Sequence, residues 1–437
     1  MEEELTGADI CRRLKESQPS NGLFAGFAWK WSPDPFEISP DDAAELQSLG
    51  VVLHDFNRAC NNLYYASVNG LQPEWISRWL DAGKPARLVQ FSREKALRRV
   101  LPHIIRPDLL KTERGWILCE LDSIPGGIGA TAWLQEHDVF GGRNILGGRG
   151  GMRNGWRSIF PEGDVLVSME ASSYRPEMEW LNRGSNSVFV KDAETYNMGL
   201  DRPVYRFFEA FDLHNLPNVG QWMEQVLAGG VMTPPLKPFL EEKMWMGFFW
   251  MKPLEGFWRQ ELGSKNFERL QNLIPRTWVL NPEPLPPHAT IHGLDIHDWS
   301  ELRDFSQKRR RLVIKISGFS PLAWGARGIS FGHDLPSVEW AKVVSSALAA
   351  FPSSPHIMQV FESAIKTTMR LWNEKENSVA EMQGRARVCP YYFVGNGEKI
   401  RLGGGLATFC PPDKKALHGM GDAVMAPVSE RQRKSGL

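Results

Sequence analysis

The chain has 437 residues, 42% of them hydrophobic, with 17 Trp and 23 Phe; this is enough apolar side chain for a sizeable core and excludes global disorder. Lys plus Arg equals Asp plus Glu at 51 each, so no net charge points to a nucleic-acid or membrane-surface partner, and none is expected. The five cysteines (Cys11, Cys60, Cys119, Cys389 and Cys410) are odd in number and form no C-x-x-C pair, which argues against a disulfide framework and a zinc knuckle and favours a reducing compartment.

The N-terminal stretch MEEELTGADI has no apolar signal core, and the longest apolar run, Met244 to Met251, is far short of the roughly 20 residues a spanning helix needs. A cytoplasmic protein is the expectation. Residues 1–100 read as mainly helical: one helix starts at Asp41 after Ser39-Pro40, and Pro73 to Leu80 forms another, ended near Gly83. Gly115 to Leu121 and Asp164 to Glu170 read as short apolar strands bounded by Gly or Pro. Between them Gly141 to Gly155 holds seven Gly and three Arg in fifteen residues, which reads as a mobile surface loop or a substrate lid. After Thr233-Pro-Pro-Leu-Lys-Pro a helix is expected to carry Glu241, Glu242, Lys243 and Met244. Leu312 to Ser317 reads as a strand, Val338 to Ala350 as an amphipathic helix, and His356 to Phe361 and Arg387 to Val394 as further strands. Lys308 to Arg311 reads as a solvated basic run ahead of a buried strand, and the tail from Ser429 to Leu437 as frayed. Helices and strands mix without strict βαβ alternation, so the expected class is α+β, or a multi-lobe α/β enzyme.

Three segments carry residues suited to chemistry. Glu120 and Asp122 stand two apart on a strand and face the same way, and a tight turn over Lys111 to Gly115 would set Asp108 on the neighbouring strand beside them. Three clustered carboxylates repel unless a cation sits among them, and hard oxygen ligands suit Mg²⁺. Arg106 on the same face could hold an anionic group next to that metal. A solvated hairpin of scattered charge is the other reading of the pattern. In the second segment the strand residue Lys315 leads into Ser317-Gly-Phe-Ser-Pro-Leu-Ala-Trp-Gly-Ala-Arg-Gly328, whose backbone N–H groups could wrap phosphate oxygens with Lys315 and Arg327 adding charge. It lacks the Walker and G-x-G-x-x-G patterns, and an ordinary turn between strands fits it as well. The third is the apolar strand ending in Gln359-Val360-Phe361, which offers an apolar slot and backbone groups to an adenine ring, or is simply a core strand.

In this order, with Lys243 between them, these segments resemble the circularly permuted ATP-grasp ligases, of which the synthetase domain of glutathionylspermidine synthase is a member. The similarity runs thinly over roughly residues 85 to 410. It implies a circularly permuted ATP-grasp fold behind an N-terminal helical region (1–100), with the carboxylate hairpin in 101–235, ATP-binding lobes in 236–428 and a flexible tail at 429–437. By the same resemblance Asp108, Glu120 and Asp122 would be ligands of Mg²⁺, and Lys243 and Lys315 would bind ATP phosphates. The loop with Ser317, Gly318, Gly325 and Gly328 would close over them, and Gln359, Val360 and Phe361 would form the adenine hinge. Arg106 and Arg327 would act in catalysis, joining a small-molecule carboxylate to an amine such as an amino acid, peptide or polyamine. Asp122 departs from the family, which commonly has Asn there, and the loop departs from the synthetase's own.

Overall fold

Glycines, prolines and capping side chains cut this chain into short elements, described for residues 5–19, 29–286, 289–323, 327–418 and 421–432 in the computed structural model. Helix α1 (Gly7–Ser17) starts at a Thr6–Asp9 capping box and is followed by the short strand β1 (Phe36–Ile38). Ser39 accepts from the Asp42 N–H at 3.1 Å and so starts the long helix α2 (Pro40–Val68), with α3 (Glu74–Leu80) and α4 (Ala86–Ser92) behind it. Next come the hairpin β2 (Ile104–Thr112) and β3 (Gly115–Asp122), then α5 (Ile128–Glu136) and α6 (Gly151–Ile159). The strands β4 (Gly163–Val167), β5 (Val188–Asp192), β6 (Val204–Phe207) and β7 (Met232–Thr233) are interleaved with α7 (Arg175–Leu181) and α8 (Val219–Leu227). The chain continues through α9 (Met244–Phe249), α10 (Glu255–Leu273), β8 (Thr277–Leu280), β9 (Leu312–Ile316), β10 (Ile329–Phe331), α11 (Ser337–Ala349) and β11 (His356–Val360). It ends in β12 (Thr367–Asn373), β13 (Ser378–Val394), β14 (Ile400–Cys410) and β15 (Val424–Glu430).

These elements make a mixed α/β protein with several sheets, divided into two compact units. The first is assembled from Met1–His54, Leu101–Pro235 and Ser363–Leu437. Its large sheet runs β1-β15-β14-β13-β2-β3, with β12 pairing β13, and its smaller sheet, β5-β4-β6-β7, is wholly parallel. Trp31, Trp133, Trp156, Trp180 and Tyr391 meet in the core that these sheets share with α5 and α6. The second unit comprises Asp55–Val100 and Leu236–Glu362. Its antiparallel sheet, β10-β9-β11-β8, packs through Ile314 and Met358 on Trp340 and Val344 of α11. No helix among the described residues is long and apolar enough to cross a membrane.

Several expectations are corrected. The Gly-rich segment is only partly a surface loop: residues 141–144 and 147–149 are exposed, but its second part is α6, Ile145 and Leu146 are buried, and the Leu146 N–H donates to the Val428 carbonyl at 2.8 Å. Gly147 has φ +81°, and a Cβ there would lie 2.1 Å from the Gly403 carbonyl oxygen, so glycine serves close backbone approach and not looseness. Lys243 precedes α9 at its N-cap and Glu241 closes a 3-10 turn that begins at Pro238, so of the four expected residues only Met244 lies on an α-helix. In the basic run Arg310 is buried and donates to the Leu335 carbonyl at 3.0 Å, so the run is not wholly solvated.

Candidate functional site

Two polar groups hold the residues singled out above, one in each unit. In the first unit β2 and β3 pair with Arg106 opposite Asp122 and Asp108 opposite Glu120, so four candidate side chains share one end of a hairpin. The ladder slips after Asp108, and Cys119 is the extra residue of that bulge. On the other side of β2 the ladder with β13 stops between the pairs Leu109–Val388 and Ile105–Tyr392. The same register carried through the gap sets Pro107 opposite Pro390, and neither proline has an N–H to donate.

Side chains fill this gap. Arg106 lies 3.2 Å from Asp108 through Nε and 3.0 Å from Asp122 through a terminal nitrogen, and it donates to the Gly126 carbonyl at 3.1 Å. Arg387 donates to Asp108 at 2.8 Å, and the Cys389 thiol sits 3.3 Å from the other Asp108 oxygen. Burial alone would raise the Asp108 carboxyl, but Arg106, Arg387 and the thiol outweigh it and hold the group at about 2. Asp122 goes the other way. Its burial raises it, with Glu120 and Asp108 adding to the effect, against Arg106 and the Ile124 N–H that donates at 2.7 Å. The cation among these carboxylates is therefore Arg106, and no three His, Cys, Asp or Glu side chains among the described residues are grouped to hold a metal ion. The donor chemistry nevertheless fits Mg²⁺, which is usually held by one or two carboxylates plus substrate phosphates.

Beside this group stands an acid the sequence did not mark. Glu177 of α7 is buried and accepts N–H bonds from Gly127, Gly129 and Ala130 at 2.8 to 3.2 Å, closing the N-terminus of α5. Burial pushes its carboxyl up to about 7 in spite of those three donors. Arg387 and Cys389 were also missed, although Arg385, Arg387 and Cys389 alternate along β13 and so share one face.

In the second unit Val313 of β9 pairs with Gln359 of β11, which makes Lys315 the diagonal neighbour of Gln359 on the same face. The Lys315 ammonium donates to Gln359 at 3.0 Å, and Gln359 donates in turn to the Thr277 hydroxyl at 3.0 Å. The Lys243 ammonium donates to the Ala323 carbonyl and its N–H to the Ser317 carbonyl, both at 2.9 Å. Ser317 is fully buried, donates to Glu242, and accepts from the Met244 N–H at 2.9 Å. At Gly318 a Cβ would lie 2.7 Å from the Glu241 carbonyl oxygen, so a larger residue cannot follow Ser317 without moving that backbone. Gly328 packs against the Leu322 carbonyl and Arg327 is exposed, while Trp324 and Gly325 fall outside the described residues. Two of the three N–H groups of the expected adenine hinge are already bonded: Val360 donates to the Arg276 carbonyl and Phe361 to the Arg311 carbonyl, each at 2.9 Å.

No protein-family model matches this chain, and no curated protein matches it. Among solved structures it is similar to a glutathione synthetase-like effector from Globodera pallida, with a TM-score of 0.47 and 11% identity over 91% of this chain and 89% of that one. A putative gamma-glutamylcysteine synthetase from Methylobacillus flagellatus gives a TM-score of 0.39 and 11% identity, over 92% and 91% of the two chains. Likenesses of this degree carry no functional weight.

Proposed function

We propose that this protein is an ATP-dependent ligase that joins a small-molecule carboxylate to an amine or thiol, with the ATP-grasp order permuted so that carboxylates precede lysines. The observation that carries the reading is the hairpin register, which opposes Arg106 and Asp108 to Asp122 and Glu120. A substrate carboxylate oxygen would attack the γ-phosphorus of ATP, breaking the bond to ADP and forming an acyl phosphate. The amine or thiol would then attack the acyl carbon, lose a proton and release phosphate. Such chemistry needs charge neutralisation more than a nucleophilic side chain.

In this reading Lys243 and Lys315 would bind phosphate oxygens, and Ser317, Gly318, Gly325 and Gly328 would shape the loop over them. Gln359, Val360 and Phe361 would border the adenine. Asp108, Glu120 and Asp122 would supply one or two carboxylates to Mg²⁺, which when bound neutralises phosphate charge. Arg106 would stabilise charge on the transferring phosphoryl group, and Arg327 would add positive charge from the loop. Amino acids, peptides and polyamines are the substrate classes to try, in a cytoplasmic setting, with neither nucleic acid nor membrane as partner.

A second reading, a non-catalytic nucleotide-binding or scaffold protein, is favoured by the bonded N–H groups of Val360 and Phe361. The test is ADP formation with panels of acids and amines, run beside Mg·ATP calorimetry, for the wild type and Glu120→Ala. The ligase reading expects turnover that the variant loses while keeping its fold. Tight Mg·ATP binding without acyl transfer to any acceptor would favour the non-catalytic reading, and no binding at millimolar nucleotide would end the ligase reading.

A further inference from the structure

The second unit contains a buried charge that neither phosphate lysine accounts for. The Glu242 side chain is 1% exposed, and it forms an ion pair with Lys84, whose side chain is 0% exposed. Glu242 also accepts from the Ser317 hydroxyl, and Ser317 receives the Met244 N–H at the start of α9. A Cβ added at Gly318 would stand 3.0 Å from the Glu242 carboxyl carbon, so this carboxylate borders the first residues of the loop. The Lys84 ammonium lies 5.6 Å from the ring centroid of Phe319, the next residue along. Phe319 has φ +46°, a left-handed conformation that costs a non-glycine residue energy and persists only where its surroundings hold it.

A buried ion pair adds little net stability over an apolar pair of the same shape, so stability alone does not call for one here. We propose that Lys84 is a positioning residue for the loop beginning at Ser317: it neutralises Glu242, and through that carboxylate it fixes Ser317 and Phe319 where nucleotide phosphates bind. The proposal rests on the ATP reading. Without Lys84, Glu242 would present an uncompensated negative charge at the loop, and a triphosphate would meet repulsion there in addition to a displaced Ser317.

The experiment measures Mg·ATP affinity by calorimetry for the wild type, Lys84→Met, Lys84→Arg and the double variant Lys84→Met/Glu242→Gln. Circular dichroism and thermal unfolding are recorded for each protein. Lys84→Met should weaken binding about tenfold or more, because one buried charge is left unpaired. The double variant replaces the ion pair by a neutral pair of similar shape and should bind within about threefold of the wild type, as should Lys84→Arg. Should Lys84→Met fail to fold, the double variant carries the test. A folded double variant that binds no better than tenfold below wild type would overturn the proposal, since neutralising Glu242 would then not suffice. Unchanged affinity in folded Lys84→Met would overturn it as well, leaving the ATP reading intact. A wild type that binds no Mg·ATP would remove the ATP reading and this proposal together.

Discussion

Arg387 on β13 donates to Asp108 on β2 at 2.8 Å, although 279 residues separate them in the chain. The contact forms where the two strands stop hydrogen-bonding, so side-chain charge stands in for the missing ladder at that point. Removing one partner of such a pair leaves the other buried and uncompensated. Arg387→Met should therefore destabilise the protein by about 2–4 kcal/mol in urea denaturation at pH 7. The pH dependence gives a second check. Asp108 is held at about 2, below its ordinary 3.8, so its contribution is present above 3.8 and lost as pH falls through 2. In Arg387→Met that acid loss should begin at higher pH, read as the difference between the two proteins' stability curves from pH 5 to 2.

Lys237 is the opposite case, a buried ammonium with no carboxylate beside it. It donates to Asn61 Oδ1 and to the Val100 carbonyl, both at 2.8 Å, and burial lowers it from 10.5 to about 7. Between those values the unfolded chain holds the proton that the folded one gives up. Stability should therefore rise with pH from 7 to 10.5, by up to about 1.4 kcal/mol per unit from this group. Lys237→Met should lack that component, so the stability of the variant relative to wild type should fall steadily across the window. Parallel curves would show that the ammonium titrates normally.

Glu177 makes a third titration prediction. Its carboxyl is raised from 4.5 to about 7, so the stability tied to its protonated form is complete below 4.5 and lost as pH rises through 7. At pH 4.5 the wild-type carboxyl is protonated and, like an amide, offers one full acceptor oxygen, so any deficit of Glu177→Gln should stay within about 1 kcal/mol there. The deficit should narrow toward pH 7, because only the wild type loses stability over that range.

The activity prediction concerns Arg106. Arg106→Ala should leave Mg·ATP affinity within a few fold and lower kcat strongly, because its guanidinium would act on charge that develops during transfer. Lys should rescue only in part, since a point charge cannot span Asp108 and Asp122 as the guanidinium does. Parallel loss of binding and turnover would move Arg106 into the nucleotide pocket.

The hairpin was legible because its information is local. Alternation put Glu120 and Asp122 on one face, and the turn before Gly115 brought Asp108 alongside. Arg387, Glu177 and Lys84 were not legible, because each reaches its partner from a distant segment and none carries a local pattern that sets it apart from an ordinary surface charge. The Gly141–Gly155 segment is legible only in part, because glycine permits both motion and close packing: a Cβ at Gly147 would meet the Gly403 backbone, whereas one at Gly142 or Gly148 would meet nothing within 4 Å. The helix expected after the prolines at 234–238 to carry Lys243 starts only at Met244, because Pro238 opens a separate short turn.

The three-part assembly of the first unit has a consequence for how the protein is made. The β2–β3 hairpin has left the ribosome long before β13, the strand that covers the other side of β2, has been synthesised. At about 5–20 residues per second the wait is on the order of tens of seconds. Through that interval β2 offers an open edge to any extended chain nearby, while the parallel sheet β4 to β7 has all its strands to hand. Slowing translation lengthens the exposure and chaperone cover shortens its effect. A chain stopped at Glu362 would release the hairpin with that edge permanently bare, and such fragments should collect in the insoluble fraction.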